Sequence, residues 1–410
     1  MLKINPLNML KCSLPDGRCG RFFSPCQVLF FLMLLLFWLG GCDSPGDVGL
    51  TTIDDIASAP NRVEAGLQTT AEAHLYRDVT GAALPTLAGK VTEIGPLSGM
   101  QVEAYGYLDF LENTDRTTKF KEGTVSDVTI VLKNAYTYGE VGTPVRFTVN
   151  AMNAEWSPAN AKYDSLLVAG AAVTTSGDLN ASAKTWEIAL PAAWRQTYDQ
   201  LLRGAVSDNT FDKAFNGFQF KLASGNAIFG FTPADSYLRV VAGGDTLRFS
   251  STSSKSHTFL KRTGKPIEVA GRNILQDNTG DAIKLSLDLT KFQKLPVNAA
   301  LIRVPADTLS LYASGSFVRP IIRQLGIYRV SETETLAQLA SAKFKDGYFS
   351  FSDPRLTNEL QRMVIGKSTA KRLIVIPEVG ASSINPVFWF TETQAALKPQ
   401  LFVTYLPSNG

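Results

Sequence analysis

From about residue 63 onward, apolar and polar positions alternate in short runs. Ile283, Leu285, Leu287 and Leu289 take turns with Lys284, Ser286 and Asp288, the period of a strand with one buried face. Branched or aromatic runs recur at Val128–Leu132, Val145–Val149, Ala300–Val304, Leu325–Val330, Leu373–Ile376 and Leu401–Tyr405. Turn formers such as Gly243-Gly244-Asp245 and Asp277-Asn278-Thr279-Gly280 separate them. The pattern predicts a mainly β protein of sandwich or jelly-roll type, without a parallel sheet.

Two segments break the alternation with a helical period. In the first, Pro191 precedes Trp194, Tyr198, Leu201 and Leu202, and Gly204 follows. In the second, Ser352 or Asp353 serves as cap, Pro354 opens the first turn, and Leu356, Leu360, Met363 and Val364 precede Gly366. Each apolar set falls at i, i+4, i+7 and i+8, one face of a helix, with glycine where a left-handed cap is wanted. Two strands lie upstream of each helix and three downstream. The downstream strands are Phe218–Phe220, Ile228–Phe231 and Tyr237–Val241 in one case, Leu373–Ile376, Val387–Phe390 and Leu401–Tyr405 in the other. The repeated order predicts a duplication: two related β-sandwich units, each with one amphipathic helix, over 63–265 and 266–410.

The first 41 residues follow another logic. Lys3, Lys11, Arg18 and Arg21 precede twelve apolar residues, Val28 to Leu39, then Gly40, Gly41 and Cys42. That is the layout of a secretory signal, and a spanning helix needs about 20 apolar residues. Leu39-Gly40-Gly41-Cys42 resembles the lipobox of bacterial lipoproteins. The resemblance implies recognition of Leu39, Gly40 and Gly41 by a signal peptidase, a lipoprotein signal peptide over 1–41, and acylation of Cys42. A turn-rich, acidic stretch, 42–62, reads as a tether. Cleavage leaves 369 of 410 residues, enough for a sizeable core. Cys12, Cys19 and Cys26 go with the leader, so the mature chain forms no internal disulfide and relies on that core.

Charge removes one class of partner. Four of the 40 Lys and Arg and one of the 37 Asp and Glu lie in residues 1–41, so the remainder carries 36 of each. A neutral body without a basic stripe offers nucleic acid no footprint, and no nucleic-acid partner is expected. Attachment to the membrane is expected through the lipid anchor, at the outer membrane or cell surface.

The mature chain as a whole resembles an uncharacterised family of surface lipoproteins from Gram-negative bacteria, defined by a domain of unknown function. The stretches that carry the likeness are Leu87–Thr92, Ala104–Leu108, Ser126–Leu132 with Tyr136–Gly139, Phe215–Phe218, Ile274–Gln276 and Val297–Leu301. Lys398–Tyr405 is similar to the last strand of β-sandwich modules in secreted carbohydrate-active proteins. Glu93-Ile94-Gly95-Pro96 departs from the family, where an Asp is followed by a Phe-Gly pair. The family transfers no catalytic residues.

Candidate chemistry is sparse. His74 and His257 are isolated, and no metal or other cofactor is expected. Asp277–Asp281 has the oxygen ligands that calcium takes, but a tight turn uses the same residues and is the stronger reading. No Gly-X-Ser-X-Gly elbow occurs, and Ala313-Ser314-Gly315-Ser316 has no visible base. No enzyme is expected, though two facing carboxylates of a glycoside hydrolase would leave no sequence signature. Trp156 and Trp389 are the candidates for stacking on sugar rings, with burial in a sheet as the ordinary fate of such residues. The expected function is therefore binding or envelope structure, with glycans or envelope proteins as partners.

Overall fold

The computed structural model describes residues 62–73, 85–157, 164–205, 210–264, 271–293, 295–313, 315–378, 383–391 and 397–405. Residues 58–410 form one compact unit. It is mainly β. The first strands are β1 (Arg62–Ala73), β2 (Thr86–Thr92), β3 (Met100–Leu108), β4 (Val125–Glu140), β5 (Arg146–Met152), β6 (Ala169–Thr175) and β7 (Thr185–Ala189). Next come β8 (Phe218–Ser224), β9 (Ala227–Phe231), β10 (Tyr237–Ala242), β11 (Asp245–Ser250) and β12 (Ser256–Gly264). The second half holds β13 (Arg272–Gln276), β14 (Asp281–Asp288), β15 (Val297–Asp307), β16 (Phe317–Val318), β17 (Gln324–Val330) and β18 (Leu336–Lys345). It ends with β19 (Tyr348–Phe351), β20 (Arg372–Pro377), β21 (Pro386–Phe390) and β22 (Gln400–Tyr405). Among the described residues four α-helices, α1 (Thr118–Glu122), α2 (Ala192–Arg203), α3 (Phe211–Ala214) and α4 (Pro354–Val364), interrupt the strands.

Where two sandwiches are expected, one sheet closes and the other curls. Strands β15, β19, β18, β17, β20, β14, β1 and β22 pair in a ring, because β22 also pairs with β15. The result is a closed eight-stranded barrel beside a half-barrel sheet. Sandwich and barrel strands share one alternation, so the pattern alone does not separate them. Closure also removes edges that would otherwise be open to other chains.

The pairings of the first half recur in the second. β4 pairs with β7, β9 and β10, as β15 pairs with β19, β21 and β22. β5 pairs with β6 and β8, as β17 pairs with β18 and β20. The barrel takes in a strand from the start of the first half, and β16 of the second half pairs with β4 of the first. β11 and β12 pair with β10 and β3; β1 pairs with β22 through Arg62–Ala65 and with β14 through Gly66–Ala73. Residues 63–73, grouped by sequence with the first unit, are thus paired in the barrel of the second. One difference is clear: β18 and β19 pair, closing the ring, whereas β6 and β7 do not pair.

Both amphipathic helices form where expected. α2 ends at Gly204, which takes the left-handed conformation at φ +67°. Asp353 caps α4 by accepting from the Arg355 N–H, with Pro354 in the first turn. Leu356 and Leu360 of α4 are buried in the barrel core with Ile302, Val304, Leu325, Ile327 and Val375. α2 presents Trp194 and Leu202 to a second core built on Phe147, Trp186, Phe218, Phe229 and Phe231.

The halves meet over a mixed junction. Leu87, Val91, Val102, Ala104 and Tyr138 pack with Phe317 and Ile384. Beside them lies a buried ion pair, Arg319 to Glu93 at 2.9 Å. The Tyr138 hydroxyl donates to Glu93 Oε1 at 2.6 Å, and Arg319 donates to the carbonyls of Leu311 and Ile94. Burial raises the Glu93 carboxyl above its ordinary value, against the pull of Tyr138 and Arg319. Glu93 and the Ile94 carbonyl are therefore part of this junction.

Candidate binding face

β3 alternates from Met100 to Tyr105, and Gly106, Tyr107 and Leu108 are all buried. Val102, Ala104 and Leu108 are buried inward, which sets Gln101, Glu103, Tyr105 and Tyr107 on the opposite face. β12 runs antiparallel beside it and sets Thr263, Lys261, Phe259 and His257 against those four residues in turn. On the other side Lys90 of β2 lies opposite Glu103, and Gln219 of β8 lies opposite Tyr107. Asn150 of β5 extends that row. The sequence thus builds a face of aromatic rings framed by amides, lysines and one carboxylate.

Its rings touch. Tyr105 and Phe259 have centroids 5.4 Å apart, Tyr107 and His257 5.5 Å, and Tyr107 and Trp156 6.1 Å. The Lys221 ammonium sits 5.3 Å from the centre of the Tyr105 ring, a cation–π distance. Tyr105 and Trp156 stay partly exposed, and Lys90, Lys221 and Lys261 are exposed. Burial, then the neighbouring Glu103, pushes the Tyr105 hydroxyl up to about 12, so it remains a donor at neutral pH.

A strap, residues 164–168, crosses one end of the face. The Tyr107 hydroxyl donates to the Leu167 carbonyl at 3.0 Å while accepting from Gln219 Nε2 at 2.9 Å. His257 Nε2 lies 2.8 Å from the Ser165 carbonyl, which fixes the proton on that nitrogen in the neutral ring. Trp156 Nε1 donates to the Asn216 carbonyl at 2.6 Å. Burial lowers the His257 pKa, and the bond to Ser165 only partly offsets it. With two of its carbonyls tied inward, the strap turns Leu166 and Val168 out to solvent, 53% and 83% exposed.

The residues singled out by sequence scatter. Trp156 lies at the rim of this face. Trp389 does not: it is fully buried in the barrel core on β21, paired with Asn273 and Ala306, and offers no ring face to a sugar. Here packing wins, as the run Val387–Phe390 is buried on both sides. Asp277–Gly280 forms a turn between β13 and β14, with Asn278 and Gly280 at positive φ. The Asp281 carboxylate takes a bidentate contact from Arg262, and Asp277 accepts from the Ser383 hydroxyl at 2.7 Å. Among the described residues no group of three His, Cys, Asp or Glu could hold a metal. Leu39, Gly40, Gly41, Cys42 and His74 lie outside the described residues.

Sequence reasoning missed Tyr105, Tyr107, Phe259 and Lys221 as one group. Tyr105-Gly106-Tyr107 carries the period-two signal for two rings on one face, but nothing in the sequence announces that β12 is their neighbour. Among the described residues no helix is long and apolar enough to cross a membrane. No family model matches the chain, and neither a curated protein nor a solved structure does.

Proposed function

We propose that this chain is a lipid-anchored protein of the cell envelope, held at the outer membrane or cell surface, that acts by contact and not by catalysis. The observation that carries the reading is Cys42, placed directly behind Gly40-Gly41 at the end of a short apolar run. Two or more acyl chains anchor durably where one binds only marginally. The test is metabolic labelling with a lipid precursor: the wild-type protein takes up label and Cys42→Ala does not. Label in both would remove the anchor from the account.

The repeated pairings support descent of the two β units from one duplicated ancestor, each keeping a helix after its fourth paired strand. The partly exposed face on β3 and β12 favours a second, narrower reading, glycan binding. Partly exposed Tyr105 and Trp156 offer apolar ring surface, and Glu103, Lys90, Lys221 and Lys261 offer hydrogen bonds to sugar hydroxyls. A glycan array tests it. Saturable signals should fall at least tenfold in Trp156→Ala and Tyr105→Ala, while blank arrays with a specific protein in crosslinked pull-downs would favour an envelope partner instead.

A further inference from the structure

We infer that the outer edge of β6 is a self-association surface, on which a second copy of this chain pairs its own β6 antiparallel about a two-fold axis.

The first argument is topological. β6 stands in the first half where β18 stands in the second; β18 pairs at its end with β19, Phe344 with Phe349 and Lys345 with Tyr348, while β6 pairs with β5 alone. No other described strand pairs with its outer edge. The second sheet closes its own seam, with eight strands in a ring, whereas the sheet that holds β6 stays open.

The second argument is charge. The other edges of five or more residues among the described strands are marked against chance pairing. β7 carries Glu187, β11 carries Asp245 and Arg248, β12 carries Lys261 and Arg262, and β13 carries Arg272. β6 reads Ala-Gly-Ala-Ala-Val-Thr-Thr, and no charge falls between Asp164 and Asp178. In an isologous pair every residue near the axis meets its own copy, so any charge there would face its like. The strand is centred on Ala172, exposed and small enough for two copies to approach.

The third argument is apolar surface. Leu166 and Val168 lead directly into β6 with side chains out in solvent. Two bulges against β5 add twist to β6, which shortens any ladder on its outer side. Leu166 and Val168 supply the apolar contact that a short ladder lacks. Ala172 shares its row with Asn150 and Gln219, so the pair would set two aromatic faces on one continuous surface.

The test is the mass of the full chain by sedimentation velocity in a density-matched detergent, over a wide dilution range. Wild type should run as two copies and Ala172→Lys as one, with unchanged circular dichroism. Val168→Asp should weaken the pair at least tenfold in dissociation constant, and Thr246→Lys on the edge of β11 should leave it intact. A wild type that stays single at the highest concentration, or an Ala172→Lys protein that still pairs, overturns the inference.

Discussion

His257 is the residue through which pH reaches the binding face. It lies between the Tyr107 ring and the Ser165 carbonyl, with Nδ1 buried and unpartnered. Its folded pKa is depressed below the ordinary 6.5, chiefly by burial. The unfolded chain therefore binds the proton first as pH falls. The stability tied to the neutral ring is fully present above about 6.5 and is lost as pH drops toward the folded value. Thermal melts in a pH series should show a declining midpoint below that point, and His257→Gln should flatten the decline. A wild-type midpoint that rises on acidification would contradict the buried neutral ring. This residue also marks a limit of sequence reading, since a lone histidine on an alternating strand looks the same whether it is buried or exposed. Trp389 teaches the converse. Its flanking aromatics left sugar stacking open beside the ordinary expectation of packing, and the pairing of β21 with both β13 and β15 goes with burial of every ring on that strand.

At the scale of elements, the helices were the most legible parts. Their caps, spacing and terminal glycines are local, and α4 lies within two residues of its expected ends. Most strands were legible too, because alternation is local. What escaped was partnership: nothing in Arg62–Ala73 says that it belongs with Leu401 and Leu285, more than 200 residues away. Register between distant strands depends on side chains that meet only after folding. The local part can be probed directly. Leu360 is fully buried among barrel residues, so Leu360→Ala leaves a cavity and should cost about 2–5 kcal/mol in chemical denaturation. A loss well under 1 kcal/mol would mean that α4 does not stopper the barrel core.

For the whole molecule, two features bind the halves into one body: β1 paired in the barrel and β16 paired with β4, and the buried pair of Glu93 and Arg319. Breaking such a pair strands a charge in a low-dielectric site, which suits a junction meant to hold one arrangement. In the proposed reading a lipid tether holds this β body at the membrane surface. That picture stands on the processing event at Cys42. The most direct measurement is the intact mass of the protein purified from membranes of the cells that make it. The account predicts the mass of residues 42–410 plus the acyl groups and glyceryl moiety of a lipidated cysteine. An unmodified chain still carrying residues 1–41 would contradict it.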